Sequence, residues 1–439
     1  MSNRRDFLKC IAGGVVTGFP TIVPSSVMGQ DGGTAPSDRI GFAHIGVGRM
    51  GGGHLRGLLN YRDVQIRAIC DANQATLERA VTAVNRKYGN NDCASFSDFR
   101  ELLARPEIDA VLIATGERWH PLISIEAARR GKHVYCEKPL GLSVAEAKAV
   151  RENVSRFGTV FQIGTQQRSS FNYRQACELT RNGRIGELKT IMIGSVRGGS
   201  NRIDEKPKPV PPGIDWDMWL GPSPWAPYSD ERISINAWLF ISDYGLGCLD
   251  GAWGIHDIDI AQWVADADST GPIDVEATGK FYTDIRDVAY EYTCEHTYKN
   301  GVRLVHMDMV TARKRASEFN TLPSNGATVI FGTEGWIYVS REGLRTKPDY
   351  LAREKFRSNE KRVIFSNDHR RNFLDAVRTG SPAIAPVEAA VRGLTVAQQE
   401  DISMRLGRKL RWDPVKEVFL GDDAANRKLT RPMRSPWHL

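Results

Sequence analysis

The spacing of apolar and polar residues divides the chain near residue 164. In the first part, short runs that are apolar throughout alternate with stretches of helical periodicity, as in a parallel sheet covered by helices on both faces. This alternation predicts a doubly wound α/β fold with a parallel sheet. The predicted strands are Ile40–Ile45, Val64–Cys70, Asp109–Ala114, His133–Cys136 and Val160–Ile163. The predicted helices run from a glycine-rich turn to Leu58 and over Asn73–Lys87, Ser97–Ala104 with Ser97 as its cap, His120–Arg130 and Ser143–Phe157.

Beyond residue 164, strands follow one another with turn residues between them. This pattern predicts an α+β domain with a mainly antiparallel open sheet and helices on one face. Asn300-Gly301 indicates a type I′ hairpin, and Gly332–Gly335 a second one. Asp204–Trp219 is rich in proline and tryptophan, which suits either a functional loop or a rigid surface strap. The predicted strands are Leu188–Val196, Val275–Tyr282, Glu291–Tyr298, Arg303–Thr311, Val329–Phe331 and Trp336–Val339, and the predicted helices are His369–Arg378 and Pro386–Leu406.

The N-terminus resembles a twin-arginine (Tat) export signal. Arg4-Arg5 precede Phe7-Leu8-Lys9, and the apolar run Cys10–Val23 is too short and too rich in glycine to span a membrane. We therefore expect a periplasmic or otherwise exported protein. The expected boundaries are a signal at residues 1–29, a linker at 30–38, a nucleotide-binding domain at 39–164 and a second domain at 165–439.

Replacing Arg4 and Arg5 by lysine is expected to leave the precursor in the cytoplasm, because a receptor reads the Tat motif and charge alone is not sufficient. Immunoblots of periplasmic and cytoplasmic fractions measure this. A periplasmic yield equal to that of the unaltered precursor would contradict the Tat interpretation.

Composition narrows the range of partners. The formal net charge of +7 is small for 439 residues, and no dense Lys/Arg run is interleaved with aromatic residues, which argues against nucleic acid. Once the signal is removed, the sequence predicts no membrane segment. The seven cysteines show no C-x-x-C and no metal-like spacing, so no metal site is expected. Cys70, Cys136 and Cys248 lie in apolar runs and are expected to be buried.

A glycine-rich turn follows the first predicted strand. Gly46, Gly48 and Gly51 form G-x-G-x-x-G, with Arg49 and Met50 inside the motif. Such a turn lets a pyrophosphate approach the backbone at a helix N-terminus, where free N–H groups favour negative charge. Asp71 lies about 20 residues beyond Gly51, where a carboxylate would bind the adenosine ribose hydroxyls. The pattern predicts an NAD site, and NADP stays possible because Arg67 and Arg79 are near Asp71 in sequence.

A second polar motif, Glu137–Pro139, follows the strand His133–Cys136. It should lie at the carboxyl edge of the parallel sheet, where ligands bind in such folds. Lys138 could exchange a proton with a substrate hydroxyl during hydride transfer, and Glu137 could orient it. Taken without its context, a single lysine is more often a solvated surface charge.

The chain resembles the Gfo/Idh/MocA family, which is named for glucose–fructose oxidoreductase and inositol dehydrogenase. The resemblance extends over nearly the whole chain after the signal, and Gly131–Leu140, GKHVYCEKPL, is its most specific segment. The other matching segments are the loop GVGRMG, the pair Trp119-His120, Phe161–Arg168, Trp253–Trp263 and, in the exported branch, the tail from Arg408–Trp412 to Pro436-Trp437.

The resemblance implies roles for single residues. Lys138 would transfer the substrate proton and His256 would be the second catalytic group. Asp259, one turn beyond His256, would contact substrate or act as an acid of the first helical turn. The remaining roles implied are cofactor contact for Thr115, His120, Glu137 and Lys138, and substrate contact for Arg168.

Two departures from the family pattern bear on mechanism. The acid that usually stands four residues before the histidine is Ala252 here, and Asp250 cannot replace it if the segment is a strand in the usual register. Thr115–Arg118 also differs from the usual Thr-Pro sequence, and it would place the charge of Arg118 near the cofactor loop.

Three functions fit these motifs. The first is an exported NAD(P)-dependent oxidoreductase acting on a sugar, glycoside or cyclitol hydroxyl with a tightly held cofactor. The second is an NAD-dependent enzyme that cleaves glycosides through transient oxidation without net redox change. The third, suggested by Ala252, is a sugar-binding relative without catalysis. Assembly as a homo-oligomer, a dimer or tetramer, is expected through the open face of the second sheet.

Overall fold

The computed structural model describes residues 38–199 and 201–439. The predicted signal and all but Asp38 of the predicted linker lie outside the described residues. In the first domain a sheet of six parallel strands has the order β3-β2-β1-β4-β5-β6, which confirms the doubly wound Rossmann fold. Its strands are β1 (Ile40–Ile45), β2 (Val64–Cys70), β3 (Ala94–Phe96), β4 (Ala110–Ile113), β5 (His133–Cys136) and β6 (Phe161–Ile163).

The helices between these strands begin and end close to the predicted residues. Ser143 caps one of them through the N–H of Glu146, and Gly158 ends it in the left-handed conformation. The cap predicted at Ser97 is wrong by one residue, since Asp98 accepts the N–H of Arg100. The helices are α1 (Arg49–Leu58), α2 (Gln74–Tyr88), α3 (Phe99–Leu103), α4 (His120–Arg129), α5 (Val144–Phe157) and α6 (Phe171–Arg181).

A second sheet of nine strands dominates the rest of the chain, in the order β13-β12-β11-β7-β10-β9-β8-β14-β15. It is antiparallel except that β7 and β10 run parallel, so the prediction of a mainly antiparallel sheet is confirmed. Its strands are β7 (Leu188–Ser195), β8 (Asp274–Phe281), β9 (Ala289–Thr297), β10 (Arg303–Asp308), β11 (Ala327–Gly332), β12 (Trp336–Ser340), β13 (Leu344–Lys347), β14 (Leu410–Asp413) and β15 (Val418–Phe419).

The helices of this part include one that the sequence did not predict. The predicted strand Arg303–Thr311 ends at Asp308, whose carboxylate caps a helix over the next residues. That helix packs Met309 and Ala312 on the second face of the sheet, so the prediction of helices on one face only is wrong. The helices are α7 (Trp216–Leu220), α8 (Asp230–Ile233), α9 (Ile235–Trp238), α10 (Gly254–Val264), α11 (Met309–Arg315), α12 (His369–Thr379), α13 (Val387–Leu406) and α14 (Asp423–Arg427).

Both predicted hairpins are present, but one has a different turn. Tyr298 and Val302 close a loop between β9 and β10, and Gly301 has φ +82°. A type I′ turn needs positive φ at both central residues, and Asn300 lacks it. The loop is instead a three-residue connection with glycine in the left-handed position.

The C-terminal helices return to the first domain. Phe373 of α12 packs on Phe42 of β1, and Leu394 of α13 joins the core beneath Val111 of β4. Cys70, Cys136 and Cys248 are buried, as expected. Among the described residues, no helix combines the length and the apolar character needed to cross a membrane.

Residues 213–221, which we call the crossing segment, join two places on the first domain. At one end Asp215 donates its N–H to the carbonyl of Ala72 (2.9 Å), just beyond β2. At the other, Trp119, just beyond β4, donates its indole N–H to the carbonyl of Met218 (2.8 Å). Because β2 and β4 are the two neighbours of β1, the crossing segment connects the chain on either side of β1.

Candidate active site

The glycine-rich turn after β1 has the geometry that a pyrophosphate needs. Gly46 has φ +82°, and a Cβ there would lie 2.5 Å from the carbonyl oxygen of Ala114. A Cβ on Gly51 would lie 2.0 Å from the carbonyl oxygen of Gly46, so only glycine lets α1 pack this closely. Around Gly48, in contrast, no described atom lies within 4 Å of the Cβ position. The turn therefore leaves open space at the N-terminus of α1, where a pyrophosphate fits.

Exposed side chains flank this opening. Arg49 and Met50 form the first turn of α1, and Met50 is 54% exposed. Both are thus in position to lie beside a bound dinucleotide, as the sequence predicts.

Asp71 stands at the end of β2, beside the glycine-rich turn. Its carboxylate accepts N–H groups from Val47 (2.8 Å) and Asn73 (2.9 Å). Burial raises the pKa of Asp71, and these two N–H bonds oppose the rise. The carboxylate is therefore fixed beside the turn, and each oxygen keeps a second lone pair. Contact between Asp71 and the adenosine ribose stays a prediction.

Replacing Asp71 by alanine is expected to narrow the preference for NAD over NADP, because a carboxylate at the ribose repels a 2′-phosphate. Titrating nucleotide-free protein with NAD and NADP measures both affinities, with the outward-facing variant Asp92→Ala as the control. Equal or tighter NADP binding by the unaltered protein would contradict the role of Asp71.

Glu137 is buried beneath the turn and anchored by two side chains. His54 of α1 (2.8 Å) and the amide of Gln166 (2.8 Å) both contact its Oε1. Burial alone would raise the pKa of Glu137, but the hydrogen bond from His54 and the charges of His54 and Lys138 hold it below its usual value. An ionised Glu137 thus ties α1 to the end of β5. No sequence motif marks His54, and Gln166 lies in the matching segment Phe161–Arg168 without a predicted role.

Lys138 reaches from the end of β5 to the second domain, where its ammonium donates to the carbonyl of Gly251. The carboxyl group of Glu117 lies against the same residue: a Cβ on Gly251 would fall 1.7 Å from Glu117 Oε1. Glu117 follows β4 and is 2% exposed. Two neighbouring strand ends therefore bring a lysine and an acid to one glycine, and no motif in the sequence points to Glu117.

Asp250 corrects an assumption made from the sequence. It follows a 3₁₀ turn at Gly247–Leu249 and lies outside any strand, so the register argument against it does not apply. The side chain is fully buried, and neither oxygen has a hydrogen-bond partner in the described part of the chain. Burial raises the pKa of Asp250 to about 8, and the charge of Lys138 opposes this rise. An acid thus lies beside Lys138 although position 252 is alanine.

His256 lies in the first turn of α10, close to the same group. Burial lowers the pKa of His256 well below its usual value, and the charges of Lys138 and Arg341 lower it further. The ring is therefore neutral at pH 7, and its Nδ1 has no hydrogen-bond partner among the described residues. A neutral imidazole can accept a hydrogen bond or a proton from a ligand.

His120 and Thr115 sit beyond β4. The Nδ1 of His120 contacts the carbonyl of Pro139 (2.6 Å), and its Nε2 has no partner within the residues described. Burial lowers the pKa of His120. Thr115 lies next to Gly46, because a Cβ on that glycine would fall 2.9 Å from the threonine methyl group. Cofactor contact by these two residues stays a prediction, and their positions agree with it.

Arg168 and Asp259 bind each other, which is at odds with the predicted substrate contact. Arg168 is 1% exposed, and its Nε and Nη2 contact Asp259 at 2.7 and 2.8 Å. Its other N–H groups go to Asp268 (2.8 and 2.7 Å) and the carbonyl of Ile384 (3.3 Å). All five N–H groups are thus used within the protein. The pair holds α10 to the start of the second domain.

Arg118 also differs from expectation. It was expected near the cofactor loop, but its guanidinium stacks on Trp219 (4.2 Å) and Tyr244 (4.7 Å) and donates to the carbonyl of Leu220 (3.1 Å). Burial lowers the pKa of Arg118 to about 10. Arg118 therefore holds the crossing segment in place through these contacts.

Comparisons with known proteins agree with this architecture. The oxidoreductase family NAD-binding Rossmann fold matches residues 40–165, and the oxidoreductase family C-terminal alpha/beta domain matches residues 194–439. Among solved structures, the WlbA dehydrogenase from Bordetella pertussis, in complex with NADH and UDP-GlcNAcA, has a TM-score of 0.62 at 17% identity and covers 85% of this chain and 99% of its own. The aldose-aldose oxidoreductase from Caulobacter crescentus has a TM-score of 0.61 at 18% identity, with the same coverage.

Curated relatives match only part of the chain. A glycosyl hydrolase family 109 protein from Shewanella baltica is 31% identical over 234 residues, which cover 46% of this chain and 49% of the relative. An alpha-N-acetylgalactosaminidase from Shewanella oneidensis is 32% identical over 220 residues, 45% of this chain and 43% of the relative. The chain thus spans about half the length of these relatives. From the two domain matches, the protein belongs to the Gfo/Idh/MocA oxidoreductase family and carries its NAD-binding domain.

Proposed function

We propose that this protein is an NAD-dependent enzyme that oxidises a hydroxyl of a sugar, glycoside or cyclitol. One observation carries the proposal: Lys138 meets the buried acids and the neutral His256 at the carboxyl edge of the sheet, beside the glycine-rich turn. A base next to a hydride acceptor is the arrangement that alcohol oxidation requires.

Each residue of the site has a separate role in the proposed reaction. Gly46–Gly51 and Asp71 would hold NAD. When bound, NAD would supply the acceptor for the hydride that leaves the carbinol carbon. Lys138 takes the proton of the hydroxyl group. His256, uncharged in its buried position, accepts a hydrogen bond from the substrate and orients it. Glu137 keeps α1 and the end of β5 in fixed relation, so that Lys138 stays beside the nucleotide site.

A second candidate uses the same first step. The curated relatives are named as glycosidases, which favours an enzyme that oxidises a glycoside transiently, eliminates the aglycone, adds water in its place and returns the hydride. Such a reaction consumes no nucleotide. It also suits an exported protein, since free NAD is scarce outside the cytoplasm.

A single experiment separates the two candidates. The purified protein is incubated with free monosaccharides, cyclitols and p-nitrophenyl glycosides, and both the absorbance of reduced nicotinamide and the release of p-nitrophenol are followed. Net reduction of NAD on a free sugar supports the oxidoreductase. Release of p-nitrophenol over many turnovers without net reduction supports the glycosidase. Binding of sugars with neither signal would contradict both and leave a binding protein.

Export by the Tat route and assembly as a dimer or tetramer belong to the same proposal. The twin arginine and the predicted loaded cofactor support export, because the Tat route carries folded proteins. Light scattering on the purified protein measures its mass, and a monomer would contradict the assembly.

A further inference from the structure

Two buried acids share the surroundings of Lys138. Glu117 is wedged between two glycines: its Oε1 lies 1.7 Å from the Cβ position of Gly251, and its Oε2 lies 2.9 Å from that of Gly245. Its Oε2 and both oxygens of Asp250 have no hydrogen-bond partner in the described residues. Asp250 directly precedes Gly251, whose carbonyl accepts the Lys138 ammonium. The charge of Asp250 acts on Glu117, and the charge of Lys138 acts on both acids.

The charge of Lys138 determines how many protons Glu117 and Asp250 hold together. Burying an unpaired carboxylate is strongly unfavourable, so a second negative charge here is disfavoured. Lys138 supplies one positive charge and can balance one carboxylate. The other carboxyl must hold a proton, as in pairs of acids that share a site.

The remaining charges near the pair do not outweigh its burial. Glu117 faces Asp250, Lys138 and Arg118. Arg118 donates its hydrogen bonds to carbonyls of the crossing segment, and its positive charge only partly opposes the rise in the pKa of Glu117. Asp250 faces Lys138 and, from α13, Glu400 and Asp401, which add negative charge and disfavour its ionisation further. Burial, followed by the charge of Asp250, raises the pKa of Glu117 well above its usual value.

We propose that Glu117, paired with Asp250, stores the proton that Lys138 removes from the substrate. Lys138 gives an ammonium proton to the ionised member of the pair and takes the hydroxyl proton in its place. The substrate O–H bond breaks, a carboxyl O–H bond forms, and Lys138 ends as it began. The pair thus starts with one proton and ends with two, while the hydride leaves the same carbon for NAD. Glu117 acts through Lys138 and is a positioning residue.

This inference rests on the proposed function, and Glu117→Gln tests it because glutamine keeps the volume and removes the proton exchange. We expect turnover to fall by about a hundredfold, the lower end of the range for acid–base groups, with NAD occupancy unchanged. The dependence of turnover on pH should change in shape, and Glu117→Asp should restore part of the rate. Glu146→Gln is the matched control, since Glu146 is an equally buried acid that instead accepts the N–H of Leu142 (2.7 Å).

Infrared spectroscopy gives a second measurement that needs no substrate. The difference spectrum between the unaltered protein and Glu117→Gln at neutral pH should contain the carbonyl stretch of a protonated carboxylic acid. That band alone supports a shared proton, and the altered pH profile supports its transfer. Wild-type turnover and pH profile in Glu117→Gln would overturn the inference and leave the proposed function standing. If the unaltered protein oxidises no substrate, the proposed function fails and the inference fails with it.

Discussion

Turnover is expected to fall by roughly a hundredfold to ten-thousandfold when Lys138 is replaced by alanine, the usual range for a general acid–base group. Lys138 is the only lysine that the structure places against Glu117 and Asp250 within the described residues, and its loss removes the group between substrate and acids. Nucleotide binding should barely change, because in the proposed site the glycine-rich turn and Asp71 hold the nucleotide. Turnover is measured on the sugars and glycosides of the panel, with NAD occupancy determined for each variant.

Two further variants test whether the loss of turnover is specific to Lys138. Lys87→Ala removes an exposed lysine from α2 and should leave turnover unchanged. His256→Ala should lower the rate less than Lys138→Ala, because a neutral ring that orients the substrate is easier to replace than the group that takes the proton. Full activity of Lys138→Ala at equal occupancy would rule out the proton-transfer role and the mechanism built on it.

Replacing Arg168 by methionine is expected to lower the free energy of unfolding by about 3–5 kcal/mol, because it leaves Asp259 buried without its partner. Both side chains are almost fully buried, at 1% and 2% exposure. Adding Asp259→Asn should recover part of the loss, since the amide removes the unpaired charge. Urea unfolding followed by circular dichroism gives the values.

A matched surface pair provides the control. Arg408 and Asp422 also form a two-pronged ion pair, but the side chain of Arg408 is 46% exposed. Arg408→Met should therefore lower the free energy of unfolding by only about 0–1 kcal/mol. If Arg168→Met lowers the free energy of unfolding no more than Arg408→Met does, the buried pair does not stabilise the protein as the structure indicates.

The sequence could predict those parts of the site whose structure is determined by residues close together in the chain. Gly46 is required by its positive φ and Gly51 by its close approach to Gly46, both within one turn, and that turn follows a strand whose apolar pattern is unambiguous. Lys138 follows another such strand, and parallel strands bring their carboxyl ends to one edge. The resemblance to a known family then directed attention to His256.

Contacts between distant residues escaped the same reasoning. Arg168 and Asp259 are separated by more than ninety positions along the chain, and nothing near either residue indicates the other. Asp250 was misjudged because a strand was assumed where the backbone turns. Glu117 was missed because its importance depends on two glycines contributed by the second domain. The helix after Asp308 was missed because its residues also suit a strand.

The crossing segment gives the nucleotide site a property that the catalytic residues do not. It is joined to the chain beyond β2 and beyond β4, with the glycine-rich turn of β1 between them. A cosubstrate is exchanged in every cycle, whereas a prosthetic group stays through many cycles. A nucleotide held in the proposed site would leave either past the open side of Gly48 or by breaking one set of these bonds. In the proposed function the segment therefore slows exchange of the nucleotide, which suits the tightly held cofactor of that proposal.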